Sequence, residues 1–286
     1  MTTPLRDGSR DRRIEDPSNL YLIHPAAHAL LRHALARRIS ANSVSIAGLV
    51  CGGVAAAAFS QYRYPAAALI GLVFAIAWLI ADGLDGMIAR ATKTASALGR
   101  MLDGLCDHGV FALIYLSLAF SVGTWSGWLL ATVAGVAHAV QSSLYEGERA
   151  RFHRRVRGEP LAAPPVPTGP FLVRLYDSVA TAVDRAAMPF ERRFAAAPDR
   201  AAFAAAYAAR AVPVMRLQSL LTANVRVWAI VIACLVASPT LFWWFEILPL
   251  SAVCVFGLYR HRLVERSFVH GAASQPSFLS SEQGHS

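Results

Sequence analysis

Six apolar stretches, about Val44–Phe59, Tyr64–Ala81, Leu102–Val122, Trp125–Leu144, Thr222–Ala237 and Thr240–Leu258, leave this chain few ways to fold. Each approaches the roughly 20 residues an α-helix needs to cross the hydrocarbon of a bilayer. Lipid accepts only backbones whose polar groups are satisfied within the membrane. Composition agrees: 55% of the 286 residues are hydrophobic and 16% charged, too few charges to coat a soluble core. The reading is an all-α, multi-pass membrane protein with six transmembrane helices. Short links such as Ser60–Arg63 and Ser238–Pro239 imply antiparallel hairpins, and Trp125, Trp128, Trp243 and Trp244 suit a belt at one interface.

The net charge of +9 is unevenly spread. If both termini lie on one side, that side collects seven arginines before Asn42, then Arg90, Lys93 and Arg100, twelve arginines from Arg149 to Arg216, and three after Leu258. The opposite side keeps Arg63, and Arg226 lies inside the fifth stretch. The positive-inside rule puts both termini in the cytoplasm, in an inner (cytoplasmic) membrane. Because the arginines flank membrane segments, anionic lipid headgroups are the expected partner and nucleic acid is not. No apolar run precedes Arg13, so no cleaved signal peptide is expected. Cys51, Cys106, Cys234 and Cys254 lack paired spacing and read as small buried hydrophobes.

Against this apolar background stand four aspartates, Asp82, Asp85, Asp103 and Asp107, inside one of the most apolar parts of the chain. A carboxylate at membrane depth costs about 2.5–3.5 kcal/mol and marks a functional site by default. Four together repel unless cations neutralise them, so the cluster predicts bound metal. On a helix Asp82, Asp85, Gly86 and Ala89 share about a third of the circumference, and Gly99, Asp103 and Asp107 repeat at i, i+4, i+8. Two facing helices would then bring two carboxylates each to one centre. Gly86, Ala89 and Gly99 leave backbone open for a bulky ligand. Oxygen-only donors select hard ions, Mg²⁺ or Mn²⁺ where phosphates complete the shell. The spacing D-x2-D-G-x2-A-R-x8-G-x3-D-x3-D would arise by chance on the order of 10⁻¹⁰ per start site, which sets aside a scatter of solvated or capping aspartates.

Asp82, Asp85, Gly86, Ala89, Arg90, Gly99, Asp103 and Asp107 together resemble the signature of the CDP-alcohol phosphotransferases. The resemblance implies an integral membrane enzyme of phospholipid biosynthesis that transfers a phosphoalcohol from a CDP-linked donor to a hydroxyl acceptor and releases CMP. It implies two divalent ions, bridged by Asp82 and Asp103, with Asp85 on one and Asp107 on the other, and Asp107 as general base. It also implies CDP contacts from Gly86, Arg90, Ser96 and Gly99, and a homodimer. Asn42 and Ser45 are similar to the family's nucleotide-contacting Pro-Asn-x-x-Thr, with Ala41 and Ser45 departing from it; read without the family, they open a helix. The donor is either CDP-diacylglycerol or a small CDP-alcohol, and a divalent-cation transporter is the rival outside the enzyme class.

The flanks complete the map. Residues 1–43 form a cytoplasmic segment whose Pro25–Ile39 stretch is an amphipathic interfacial helix, with His24, His28 and His33 as surface polar residues. Residues 44–268 form the membrane domain, interrupted by a helical cytoplasmic insertion at 158–221, and 269–286 read as a disordered tail. Within the insertion, Phe171–Arg185 shows helical spacing, and Asp199 caps a short helix through Arg210. Arg149, Arg151 and Arg154 follow the fourth stretch; they either fix topology or hold an acceptor phosphate. His138, Gln141, Ser142 and Ser143 lie just upstream and either face a cavity or bond across helices.

Overall fold

Helix boundaries in this chain follow from caps and prolines. The computed structural model describes residues 11–94, 97–161 and 185–270 and, within these, every side chain except those of 97–107 and 270. The helices are α1 (His24–Ala36), α2 (Ala41–Ser60), α3 (Pro65–Ala91), α4 (Ala97–Val122), α5 (Trp125–Val156), α6 (185–195), α7 (Arg200–Gln218), α8 (Ala223–Leu235), α9 (Pro239–Phe245) and α10 (Ser251–His270). No strand occurs among the described residues. Pro65 and Pro239 sit at first helical positions, where the missing N–H costs nothing. α2 is capped by Ser40, whose Oγ accepts from the Ser43 amide at 3.1 Å; Asn42, expected near the cap, is exposed on the first turn. Between α9 and α10, Pro249 cannot complete an ordinary helical bond, and Glu246–Leu250 widens into a π turn.

α5 closes with a left-handed Gly158 at φ 73°, and three further helices, α1, α3 and α8, end the same way without a glycine. The amides of Ile39, Thr94 and Ser238 reach back to the carbonyls of Ala34, Ala89 and Ala233 at 2.9, 3.0 and 2.8 Å. This six-to-one closure needs a left-handed residue one position earlier, and Arg38, Lys93 and Ala237 supply it at φ 54°, 56° and 51°. Each carries a Cβ and costs about 1–2 kcal/mol where glycine would cost less.

Among the described residues Ala41–Ser60, Pro65–Ala91 and Pro239–Val269 are long and apolar enough to cross a membrane. Arg200–Leu221 and Ala223–Leu235, bent by 43°, make a fourth span if taken as one. The six expected spans are therefore recovered only in part. α4, a helix over Ala97–Val122, has described side chains only from His108, where the apolar run His108–Val122 lies, and α5 falls short because His138, Gln141 and Ser142 interrupt it.

The chain divides into two compact units. The first comprises Met1–Glu146 and Arg216–Val255. Its core packs α2, α3, α4 and α8 through small residues: Ala55, Ala68 and Ala75 are fully buried, and Trp78 meets Phe111 edge-on at 5.3 Å. A Cβ on Gly52 would lie 2.2 Å from Val110 Cγ2, whereas one on Gly53 would meet nothing within 4 Å. Gly52→Ala is therefore expected to cost about 1–3 kcal/mol of stability while Gly53→Ala does not, read as thermal melting in detergent. Two polar clusters cross this core. The buried Asp16 accepts from Asn224 Nδ2 at 2.9 Å and from the Asn19 amide at 3.0 Å, fastening the segment before α1 to α8. The buried Arg226 donates to Glu246 Oε1 at 2.7 Å and Gln141 Oε1 at 2.9 Å, and Gln141 Nε2 reaches the Glu246 carbonyl and Ser251.

The second unit comprises Gly147–Met215 and Phe256–Ser286. The insertion thus folds together with the last turns of α5 and most of α10. α7 runs to Gln218, past the expected end at Arg210, and Asp199 Oδ1 caps it through the Ala202 amide at 2.9 Å. Of the expected Phe171–Arg185 helix, 171–184 lie outside the described residues, as does the tail beyond His270. Phe152, Phe190, Phe194 and Tyr207 form the aromatic centre, and inside it Arg155 is fully buried. Its guanidinium lies 4.4 Å over the Phe190 ring and donates to Glu191 at 2.7 Å, Glu265 at 2.6 Å and Tyr207 at 3.1 Å. Tyr207 meets His261 Nε2 at 2.7 Å, and His261 Nδ1 pairs with Glu148, which Arg151 and Arg262 also hold.

Burial alone would raise the Glu148 and Glu191 carboxyls. His261, Arg262 and Arg151 hold Glu148 well below the usual value of 4.5, and Arg154 and Arg155 hold Glu191 below it. A carboxyl depressed by folding contributes stability above its unfolded value and loses it as pH falls through the folded one. Thermal melting of this unit should therefore be flat above about pH 5 and drop steeply below 4.5.

Candidate functional site

The aspartate motif begins where α3 leaves the apolar core. Residues Leu84, Met87 and Ile88 of α3 are buried against Ala27 and Ala34 of α1 and Val44 of α2. Gly83 makes that approach close: a Cβ there would sit 3.5 Å from the Ala27 Cβ. The helical period carries Asp85 into this buried side, where it is 5% exposed, while Asp82 is half-buried one turn earlier. Ser45 on the first turns of α2 donates through Oγ to Asp85 Oδ2 at 2.5 Å. That charge-assisted bond fixes the carboxylate's rotamer and ties the start of α2 to the motif. Sequence reasoning grouped Ser45 with Asn42 as nucleotide contacts; the structure brings Ser45 to Asp85 and leaves Asn42 exposed.

The bare face of Gly86 is covered from one turn on. Arg90 Nη1 lies 3.2 Å from where a Cβ would stand, so the guanidinium reaches back along the helix over the glycine. Two carboxylates, a strip of uncluttered backbone and a cation thus line one end of α3, an arrangement able to receive a phosphorylated ligand and the ions that neutralise it. Thr92 Oγ1 bonds the Ile88 carbonyl at 2.8 Å, and the strained Lys93 turn closes the helix directly after Arg90.

The second half of the motif resumes on α4, whose helical backbone over Ala97–Val122 supports the i, i+4, i+8 stripe expected of Gly99, Asp103 and Asp107. The side chains of these three residues, and Ser96, lie outside the described residues. Among the described residues, which include the side chains of Asp82 and Asp85 and exclude those of Asp103 and Asp107, no group of three or more His, Cys, Asp or Glu side chains forms a metal site. The donors are hard carboxylate oxygens in a low-dielectric setting, and in chemistry they fit Mg²⁺ or Mn²⁺.

The arginines after the fourth stretch have internal duties. Arg151 pairs with Glu148 at 2.8 Å, and Arg154 with Glu191 at 2.5 Å and the Glu159 carbonyl at 3.0 Å; Arg149 is half-buried on the same helix. His138 and Gln141, for which a cavity-facing place and bonding across helices were the two alternatives, are buried. Gln141 bonds across helices to Arg226, and His138 meets Tyr115 at 3.4 Å and Phe111. Glu246 was missed entirely, and Arg155 was read only as one of the basic run Arg149–Arg157. The available signal was opposite charge stranded in separate apolar stretches, Arg226 in one and Glu246 in another.

Residues 38–176 match the family model described as CDP-alcohol phosphatidyltransferase. No curated protein and no solved structure matches the chain.

Proposed function

Over residues 38–176 this chain belongs to the CDP-alcohol phosphatidyltransferase family, and from that premise we propose that it transfers a phosphatidyl group from CDP-diacylglycerol to an alcohol, releasing CMP. The observation that carries this reading is Asp85: a buried carboxylate in an apolar, membrane-length helix, oriented by Ser45 and followed by a glycine lying under Arg90. Asp82, Asp85, Asp103 and Asp107 would hold two divalent ions. Bound there, Mg²⁺ or Mn²⁺ supplies neutralising charge to the donor's pyrophosphate.

The protein's own groups do the rest. Arg90 meets the CDP phosphates, with Asn42 and Ser96 beside the nucleotide, and Gly86 and Gly99 let the ligand approach the backbone. Asp107 takes the proton of the acceptor hydroxyl as that oxygen attacks the β-phosphorus, and the bond to CMP breaks. The distribution of arginines supports a multi-pass topology of six spans with the site and both termini at the cytoplasmic face of the inner membrane.

Ser45 orients Asp85 in this scheme. Ser45→Ala should lower kcat/KM by about 10-fold, the worth of one hydrogen bond to a charged group, while Ser45→Thr retains the donor and most of the activity. The deciding experiment incubates purified protein with CDP-diacylglycerol, Mg²⁺ or Mn²⁺, and a panel of alcohols, and follows CMP. Metal-dependent CMP release with one acceptor is the expected result. Divalent-ion flux in proteoliposomes without CMP release would replace the enzyme with a transporter.

A further inference from the structure

We propose that the outer face of α6 is a docking surface for an anionic phospholipid bilayer, with Arg185, Arg192 and Arg193 as its headgroup contacts. The helical period puts these three on one face, seven and eight residues apart, and all are exposed. The opposite face, Ala187, Phe190, Glu191 and Phe194, is buried in the second unit. The helix is therefore amphipathic, with only arginine as its outward charge.

Among the described residues no acidic side chain balances that charge. The second unit has five acidic residues among those described, and each is committed elsewhere. Glu148, Glu191 and Glu265 are buried in the Arg155 cluster, Glu159 pairs with Arg157 at 2.8 Å, and Asp199 caps α7. Among the described residues no carboxylate meets Arg185, Arg192 or Arg193. Arg151 and Arg154, which looked like anion binders in the sequence, are neutralised inside, and among the described residues the exposed arginines without an acidic partner in this unit include those of the insertion.

A lipid surface is the partner this arrangement fits. The same unit contains residues 256–269 of the apolar helix Pro239–Val269, which is long enough to cross a membrane, so its exposed guanidinium groups are tethered close to a headgroup layer. Single-stranded nucleic acid would call for exposed aromatic platforms, and Phe190 and Phe194 of α6 point inward.

The test uses the full-length protein with a benzophenone amino acid at Ala196, exposed just past α6, in nanodiscs of equal anionic phosphatidylglycerol and zwitterionic phosphatidylcholine. After illumination, mass spectrometry should find lipid adducts with the anionic lipid favoured about 5-fold or more, the preference that one arginine near a charged surface confers. The triple variant Arg185→Gln, Arg192→Gln, Arg193→Gln should bring the ratio near unity with unchanged thermal melting. About 0.5 M salt should do the same to the parent protein without any substitution. An absence of lipid adducts, equal labelling of both lipids in the parent, or a preference that survives both treatments would overturn the proposal. None of these readouts involves turnover, so the transferase reading stands or falls separately.

Discussion

Asp107→Asn is expected to slow CMP release from CDP-diacylglycerol on the order of 10³-fold while retaining much of the nucleotide binding. Asparagine keeps the shape of the side chain and an oxygen that accepts hydrogen bonds, but it can neither take up a proton nor carry charge. If Asp107 receives the acceptor's proton, the variant loses the transfer step and keeps the contacts to CDP, which come from other residues of the site. Asp85→Asn makes the contrast. Asp85 is buried and fixed by Ser45, on the same face as the glycine under Arg90. Losing its charge should weaken donor binding and turnover together. Calorimetric titration of CDP against both variants, beside a CMP-release assay, separates the two roles. Substantial turnover by Asp107→Asn would remove it as the base.

The parts of this molecule that local physics dictates were legible in the sequence. α2 and α3 appear where hydropathy and length require them, and the aspartate motif stands out because charge is rare in that setting. What could not be read were charges whose partners are remote. Arg155 meets Glu191 and Glu265 across 36 and 110 positions, and Arg226 meets Glu246 across 20. Each looks isolated in a linear scan, so only the apolar part of α10, to about Leu258, stood out, before His261, Arg262 and Glu265. It continues to His270 because Glu148 and Arg155 satisfy those groups. The same blindness made Arg151 and Arg154 look available for a phosphate when Glu148 and Glu191 already occupy them. Ser40 was passed over as the cap of α2 because Asn42 and Ser43 beside it carry the same chemistry.

Arg155→Met should destabilise the second unit by about 3–5 kcal/mol, the larger of the structural effects expected in this protein. The guanidinium is fully buried and serves two glutamates, one tyrosine and an aromatic face at once. Methionine fills the space but leaves Glu191 and Glu265 with one arginine each, Arg154 and Arg262. Arg155→Lys should fall between, since a single ammonium cannot fork toward both carboxylates. Arg157→Met, removing an exposed pair with Glu159 that solvent screens, sets the baseline at little or no change. Replacing Arg155, Glu191 and Glu265 together with apolar residues should recover part of the loss, because no charge is then stranded without its partners. Limited proteolysis within 185–215 across a temperature series measures all four. If Arg155→Met melted with Arg157→Met, the buried cluster would be a passenger of the aromatic packing of Phe152, Phe190 and Tyr207, and not what holds the insertion to α5 and α10.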